Sequence, residues 1–341
     1  MPANLSPEYK AAEAAFRGAK EPKERLECLR DMLRTIPKHK GTDRLQGDIK
    51  ARIKQLTEEL SGPKKGGARG GPALVIRPEG AAQIALLGPA NSGKSSLVSR
   101  LTGAGAEIGP YPFTTQYPKP AMLPFEDIQL QLVDLPPIAP ERPISWLANA
   151  LQPADAALLT VDLQDPQCIE NTHKTLDILQ EKRVTLLSDF ESARIAPDPA
   201  AEDYDPFAIR LPTLIVATKA DLSADPEGEL EVFCDLGAFP YPKIATSVEN
   251  DTGLERIGSF LFERLGIARV YTKAPGRPPD MGTPFTVRAG DTVQDVANMI
   301  HKDIARALRY AKLWERSGRI RGRQVGRDYQ VTDGDIIEIH T

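Results

Sequence analysis

The segment Gly88-Pro-Ala-Asn-Ser-Gly-Lys-Ser95 constrains this chain more than any other stretch of it. It fits the pattern G-x-x-x-x-G-K-[ST], follows the apolar run Ile84–Leu87 and opens a helical stretch carrying Leu97 and Leu101. A strand that ends in a glycine-rich turn and re-enters as a helix turns the amides of residues 91–96 toward one point. Those residues are Asn91, Ser92, Gly93, Lys94, Ser95 and Ser96. The helix N-terminus adds positive potential there, so the expected occupant is a phosphate chain. Lys94 is expected to neutralise the β- and γ-phosphates, and the Ser95 hydroxyl to ligate magnesium. The competing reading, a glycine-rich turn without a ligand, lacks a reason for the Lys-Ser pair at the helix start.

From Ile84 onward, short apolar runs alternate with helical stretches. Strand candidates are Ile84–Leu87, Ile128–Val133, Ala156–Val161, Leu214–Ala217 and Lys243–Thr246. Helices are expected at Lys94–Leu101, Ser145–Leu151, Cys168–Glu181, Glu227–Cys234 and Leu254–Leu265. Apolar strands separated by helices argue for an α/β fold, a mostly parallel sheet covered on both faces. Residues 182–212 fit this rhythm poorly and are taken as an insertion. Before the sheet, Leu26, Leu29 and Leu33, then Ile49, Ile53, Leu56 and Leu60, recur at helical spacing and suggest a helical hairpin. A Gly-rich basic linker, SGPKKGGARGGP, follows it. After Ile267 the pattern becomes a compact α+β module ending in the strand Ile336–Ile339.

At 341 residues the chain has room for two or three domains, and its apolar fraction of 41% supports a packed core. No apolar run is long enough to span a bilayer, and the polar N-terminus does not resemble a signal peptide. Cys28, Cys168 and Cys234 are scattered and odd in number, which suits the reducing cytoplasm better than a disulfide framework. His39, His173, His301 and His340 show no metal-ligand spacing. The net charge of −4 is unevenly spread: +6 over residues 1–72, −14 over 73–268 and +4 over 269–341. Basic flanks around an acidic centre suggest separate modules. They fit either a polyanionic partner or simply solvated helix faces.

Thr218-Lys-Ala-Asp221 closes the strand candidate at Leu214–Ala217. A carboxylate at such a strand end can accept from the ring N–H and the exocyclic amine of guanine. Adenine has no matching donor pair and would leave a buried acceptor unpaired. Lys219 is expected to lay its stem on the base. Ser247-Val248, after the Lys243–Thr246 strand, is expected to offer an amide to the guanine carbonyl.

Taken together, these pieces resemble the Obg-related translation-factor GTPases, and most closely the developmentally regulated GTP-binding (DRG) subfamily. The residues that carry the likeness run along nearly the whole chain. They are IPKHKGTDRLQGDIKARIKQLTEEL, the Gly-rich linker, GPANSGKSSL, YPFTT at Tyr111–Thr115, DLP at Asp134–Pro136 and TKAD. The last are IHKDI, KLW, VGRDY and DGDIIEI in a segment similar to a TGS domain, a small ubiquitin-like β-grasp module. The resemblance implies a helical hairpin at 1–62, a linker at 63–80, a P-loop NTPase G domain at 81–268 with the insertion 182–212, and a TGS domain at 269–341. It implies that Thr115, with Thr114 as the alternative, ligates magnesium when the γ-phosphate is present, and that Asp134 holds magnesium through water. Asn91 matches a family position that supports an activating potassium ion. The implied activity is GTP hydrolysis to GDP and phosphate, by a switch acting on translation or the ribosome.

Two departures qualify that picture. The family's second switch, D-x-P-G, is here Asp134-Leu-Pro-Pro137, and proline has no N–H to give the γ-phosphate. Ile138 stands where a water-orienting Gln or His is sought. Slow, partner-stimulated hydrolysis is therefore expected, with a non-hydrolysing GTP-binding adaptor as the alternative. The insertion is also short for the extra domain that the subfamily carries. On the C-terminal flank, Arg306, Arg309, Lys312, Arg316, Arg319, Arg321, Arg323 and Arg327, interleaved with Tyr310 and Trp314, fit an RNA or ribosomal contact. Solvated surface arginines and a core Trp314 are the alternative.

Overall fold

A computed structural model describes residues 6–19, 22–38, 42–60, 74–103, 116–194, 205–315 and 321–341. Three helices open the chain: α1 (Pro7–Gly18), α2 (Pro22–Thr35) and α3 (Asp43–Leu60). The Ser6 hydroxyl accepts from the Tyr9 amide and donates to the Thr35 carbonyl. It thus starts α1 while tying it to the end of α2. Tyr9, Phe16, Leu29, Met32, Ile36 and Ile49 form a small core that Phe207, far along the chain, completes. The arm is one helix richer than the expected hairpin. The apolar stripe of α1, Tyr9, Ala12 and Phe16, is narrow and buried only because α2 packs on it.

The central sheet begins with β1 (Gln83–Leu87), buried at every position, and α4 (Lys94–Thr102). Then come β2 (Lys119–Phe125), β3 (Ile128–Asp134), α5 (Leu147–Leu151), β4 (Ala156–Asp162) and α6 (Cys168–Glu181). The chain continues through β5 (Val184–Leu187), α7 (Phe190–Arg194), β6 (Ile209–Thr218), α8 (Pro226–Gly237), β7 (Lys243–Ala245) and α9 (Leu254–Arg264). The strand order is β2-β3-β1-β4-β6, with β5 and β7 both pairing β6. Only the β2–β3 pair is antiparallel. Two apolar cores, one on each face, explain why the strands read as continuous apolar runs rather than alternating ones.

The segment 182–212 differs from the expected insertion. Val184–Leu187 joins the sheet as β5, in parallel register with Ile209–Pro212 of a ten-residue β6. Its three apolar residues are too few to signal a strand alone. They become one because β6 extends past its other partners and exposes an edge. Residues 195–204 lie outside the described part.

The second sheet holds β8 (Ile267–Thr272), β9 (Asp280–Arg288), β10 (Tyr310–Glu315), β11 (Arg321–Val325) and β12 (Asp335–His340), in the order β11-β10-β12-β8-β9. Helices α10 (Val293–Ile300) and α11 (Lys302–Ala307) pack on one face over a separate core. A capping box of Thr292 and Asp295 starts α10. This module is fastened to the tip of the β2–β3 hairpin. Arg269 pairs with Glu126, Asp127 and Asp333, and the Tyr271 hydroxyl donates to Asp127. Phe125, at that tip, packs against Gly258 of α9.

Candidate nucleotide site

The loop between β1 and α4 is shaped by its neighbours. Gly88 has φ +144°, and a Cβ there would lie 2.6 Å from the Thr160 carbonyl oxygen. Gly93 has φ +81°, with Thr218 Oγ1 at 3.0 Å from its would-be Cβ. Glycine is required at both, first by the positive φ and then by the close approach of β4 and β6. Thr160 donates to the Leu87 carbonyl at 3.0 Å and shares a hydrogen bond with Ser92 at 2.8 Å. Thr218 donates to the Ser92 carbonyl at 3.1 Å and to Val161 at 3.2 Å. Thr218 thus shapes the loop with its hydroxyl. Thr160 was not singled out from sequence, and its only signal there is a lone hydroxyl residue inside the apolar run 156–161.

Lys94 is 5% exposed. Its ammonium donates to the Gly88 carbonyl at 3.1 Å, the Pro89 carbonyl at 2.6 Å and the Ser92 hydroxyl at 3.3 Å. Burial pushes its pKa down to about 8, against the opposing pull of Asp134. Ser95 follows it on the first turn of α4, and its hydroxyl donates to Asp134 Oδ2 at 2.6 Å. Ser96 is half-buried beside it, and the Leu97 amide closes the first helical turn on the Gly93 carbonyl at 2.9 Å. Asn91 holds a left-handed conformation with φ 62° and an exposed side chain. A loop with one buried ammonium and an adjacent hydroxyl–carboxylate pair is chemically suited to a magnesium-bound oligophosphate. Thr114 and Thr115 lie outside the described residues.

The second half of the site gathers at the ends of β6 and β7. Asp221 sits in a short 3-10 turn, where it accepts from the Ser247 hydroxyl. The Ser247 amide donates to the Thr252 carbonyl at 3.0 Å, so Ser247 orients the carboxylate. Among the described residues the Val248 amide makes no such bond. Lys219 adopts a left-handed φ of 59° and its ammonium reaches Asp162 at 2.5 Å. Its extended stem therefore spans from β6 to the end of β4, leaving an apolar surface for a base to lie on.

The entrance to the second switch is buried. Leu135, Pro136, Pro137 and Ile138 are all shielded from solvent. The Ile138 amide donates to the Gly88 carbonyl at 3.1 Å. The first amide after Pro137 is thus already engaged with the phosphate loop's own backbone.

On the C-terminal module the basic residues divide. Arg327 donates to the Leu308 carbonyl, Arg323 lies over the Tyr329 ring and Lys312 approaches Glu338 at 3.9 Å. Tyr310 stacks on His340 with centroids 4.6 Å apart, and Trp314 is half-buried under the Lys273 ammonium. Arg306 is exposed beside Asp303 on α11. Arg316 and Arg319 lie outside the described residues.

Residues 83–189 match the family described as 50S ribosome-binding GTPase, and residues 268–341 match the TGS domain. An uncharacterized GTP-binding protein of Methanocaldococcus jannaschii is 29% identical, the alignment covering 93% of this chain and 92% of that protein. Developmentally-regulated G-protein 2 of Arabidopsis thaliana is 26% identical over 93% of this chain and 90% of its own. In fold, the chain is similar to the YchF GTPase of Schizosaccharomyces pombe. The TM-score is 0.52, over 77% of this chain and 99% of that one, at 15% identity.

Proposed function

We infer that this chain, a relative of the developmentally regulated GTP-binding proteins with a GTPase domain and a TGS domain, binds GTP and GDP and hydrolyses GTP slowly unless a partner accelerates it. The observation that carries the binding half is the pairing of two sites. Lys94 lies in a loop built for phosphates, and Asp221, held by Ser247, stands at the neighbouring strand end where a guanine edge fits. Ser95 and Asp134 form the donor set that would hold magnesium, with Thr115 as the further ligand. Magnesium bound there would supply charge neutralisation between the β- and γ-phosphates. Hydrolysis is in-line attack by water on the γ-phosphorus, and this chain contributes positioning and electrostatics.

The second half rests on Pro137 and Ile138. Position 137 has no N–H and the Ile138 amide is spent on Gly88, so neither residue offers a γ-phosphate a donor. One missing oxyanion donor costs roughly 10²–10³ in rate. Pro137→Gly is expected to raise single-turnover GTP hydrolysis about tenfold, a fraction of that loss, because the new amide must still be aimed. An unchanged rate would assign the slow step elsewhere and favour the second reading, a GTP-binding adaptor with little or no turnover. Asn91 is proposed to support an activating potassium ion, and equal turnover in sodium and potassium rejects that role.

The translation assignment is supported by the match to a family of ribosome-binding GTPases and by the TGS module. No helix among the described residues is long and apolar enough to cross a membrane. Cytoplasmic action at the ribosome or on RNA is the proposed setting. The Arg269 cluster on the β2–β3 hairpin, which leads into both switches, offers a physical route from nucleotide state to TGS module. Co-sedimentation with ribosomes is expected in a non-hydrolysable GTP analogue and weaker in GDP. Absence from ribosomes in both states removes the translation role and leaves nucleotide binding intact.

A further inference from the structure

The helical arm meets the central domain around a second cationic site. Arg25 on α2 is 9% exposed, and its Nε has no hydrogen-bond partner. Among the described residues no carboxylate stands within ion-pair distance of it. Its guanidinium carbon lies 4.7 Å over the Phe16 ring. Burial, reinforced by repulsion from Arg52 on α3, pushes its pKa down to about 10. Arg52 rests 4.3 Å over the Phe207 ring. The nearby carboxylates, Asp48 and Asp205, act on Arg52 and lie 3.2 and 3.6 Å from Arg183. Both Arg25 and Arg52 line a cavity of about 40 Å³, walled by Phe16 and Leu29 of the arm and by Asn149 and Gln152 of the central domain.

A buried charge is ordinarily paired, and an arginine cannot escape the cost by losing its proton. No counter-charge for Arg25 stands among the described residues. A water requires about 10–15 Å³ of such space, so the cavity has room for roughly three waters or one compact oxyanion. Guanidinium groups match the oxygens of phosphate two at a time, and Arg25, with no carboxylate of its own, leaves one positive charge there for an oxyanion to meet.

We propose that the cavity between the helical arm and the central domain binds a phosphate-type oxyanion, with Arg25 and Arg52 supplying the charge. The oxyanion is either free inorganic phosphate or the terminal group of a phosphomonoester. It touches elements of both the arm and the central domain, and its binding fastens one to the other.

The full chain, saturated with GDP and magnesium to block the phosphate loop, is unfolded by heat at constant ionic strength set with potassium chloride. Inorganic phosphate, phenyl phosphate and acetate are titrated separately. Phosphate is expected to raise the wild-type midpoint by several degrees, because a ligand that binds only the folded state stabilises it. Arg25→Met is expected to abolish that rise. It should also unfold at a higher temperature than wild type in phosphate-free buffer, since an apolar side chain replaces an unpaired buried charge. That crossing of the two proteins' order is not produced by a merely structural arginine. A response to phenyl phosphate as well identifies a phosphomonoester end; a response to inorganic phosphate alone identifies the free ion. No rise in wild type, an equal rise in Arg25→Met, or an equal response to acetate overturns the proposal. Should Arg25→Met fail to fold, equilibrium dialysis of phosphate against GDP-saturated wild type and Arg52→Gln decides. One phosphate per wild-type chain with at least tenfold weaker binding by the variant supports it, and no difference rejects it. Because both proteins carry the same phosphate loop, a failure of GDP to block that loop leaves the difference between them diagnostic.

Discussion

Asp221→Asn is expected to weaken GTP and GDP binding about a thousandfold while creating affinity for xanthine nucleotides. Asp221 presents two acceptor oxygens, one anchored by Ser247. Guanine offers two donors, its ring N–H and its exocyclic amine, so carboxylate and base edge match. An asparagine keeps one acceptor and turns a donor amide toward the exocyclic amine, setting donor against donor. Xanthine carries a carbonyl where guanine carries the amine, so the amide donor finds an acceptor again. The Ser247 hydroxyl can still donate to the retained oxygen, so the side chain keeps its orientation. Equilibrium titration with fluorescent guanine and xanthine nucleotides reads both affinities on one protein. Uniform loss of both would mean that Asp221 supports the turn rather than the base, and equal retention of guanine would remove it from the site.

The phosphate half of the site was legible in the sequence because its requirements are local. Glycines at fixed offsets, a lysine and a serine at a helix start fall within eight consecutive residues, and the strand and helix expected on either side are present. The base half was legible for a weaker reason, since TKAD is short and gains meaning only from the apolar strand before it. Other parts depend on partners distant in sequence. Thr160 belongs to the loop's frame because β4 is paired beside β1. Periodicity gives no sign that a strand-interior threonine will face a loop some 70 residues earlier. The β5 strand was hidden in the same way, because its burial comes from the overhang of β6 and not from its own pattern. The arm's first helix, α1, has a stripe too narrow to stand without tertiary packing. Buried charge is the hardest to read. Nothing in the sequence separates Arg25 from the solvated arginines around it, and only the packing of α1, α2 and the central domain takes it out of water.

Lys94→Ala is expected to lower GDP and GTP affinity by about 10²–10³-fold, the loss typical of one preorganised charge on a developing or bound phosphate anion. The variant also removes the donor that satisfies the Gly88 and Pro89 carbonyls, so part of the effect is a loosened loop. The pH dependence separates the two contributions. In the nucleotide-free protein the ammonium titrates near 8, well below the ordinary 10.5, because burial disfavours its charge. Between about pH 8 and 10.5 the unfolded chain therefore holds more protons at this position than the folded one. The contribution of Lys94 to stability rises with pH through that window, is fully present above it, and is lost as pH falls through 8. Nucleotide affinity runs the other way. The phosphates require the ammonium, so binding must first restore the proton, and affinity falls by up to about tenfold per pH unit above 8. Thermal unfolding of the nucleotide-free protein and GDP titration over the same pH range should thus show opposite slopes. Both slopes should be absent in Lys94→Ala. If the affinity step persists in the variant, another group is titrating; if both slopes are missing in wild type, Lys94 is held charged throughout and its burial is already offset by the carbonyls it touches.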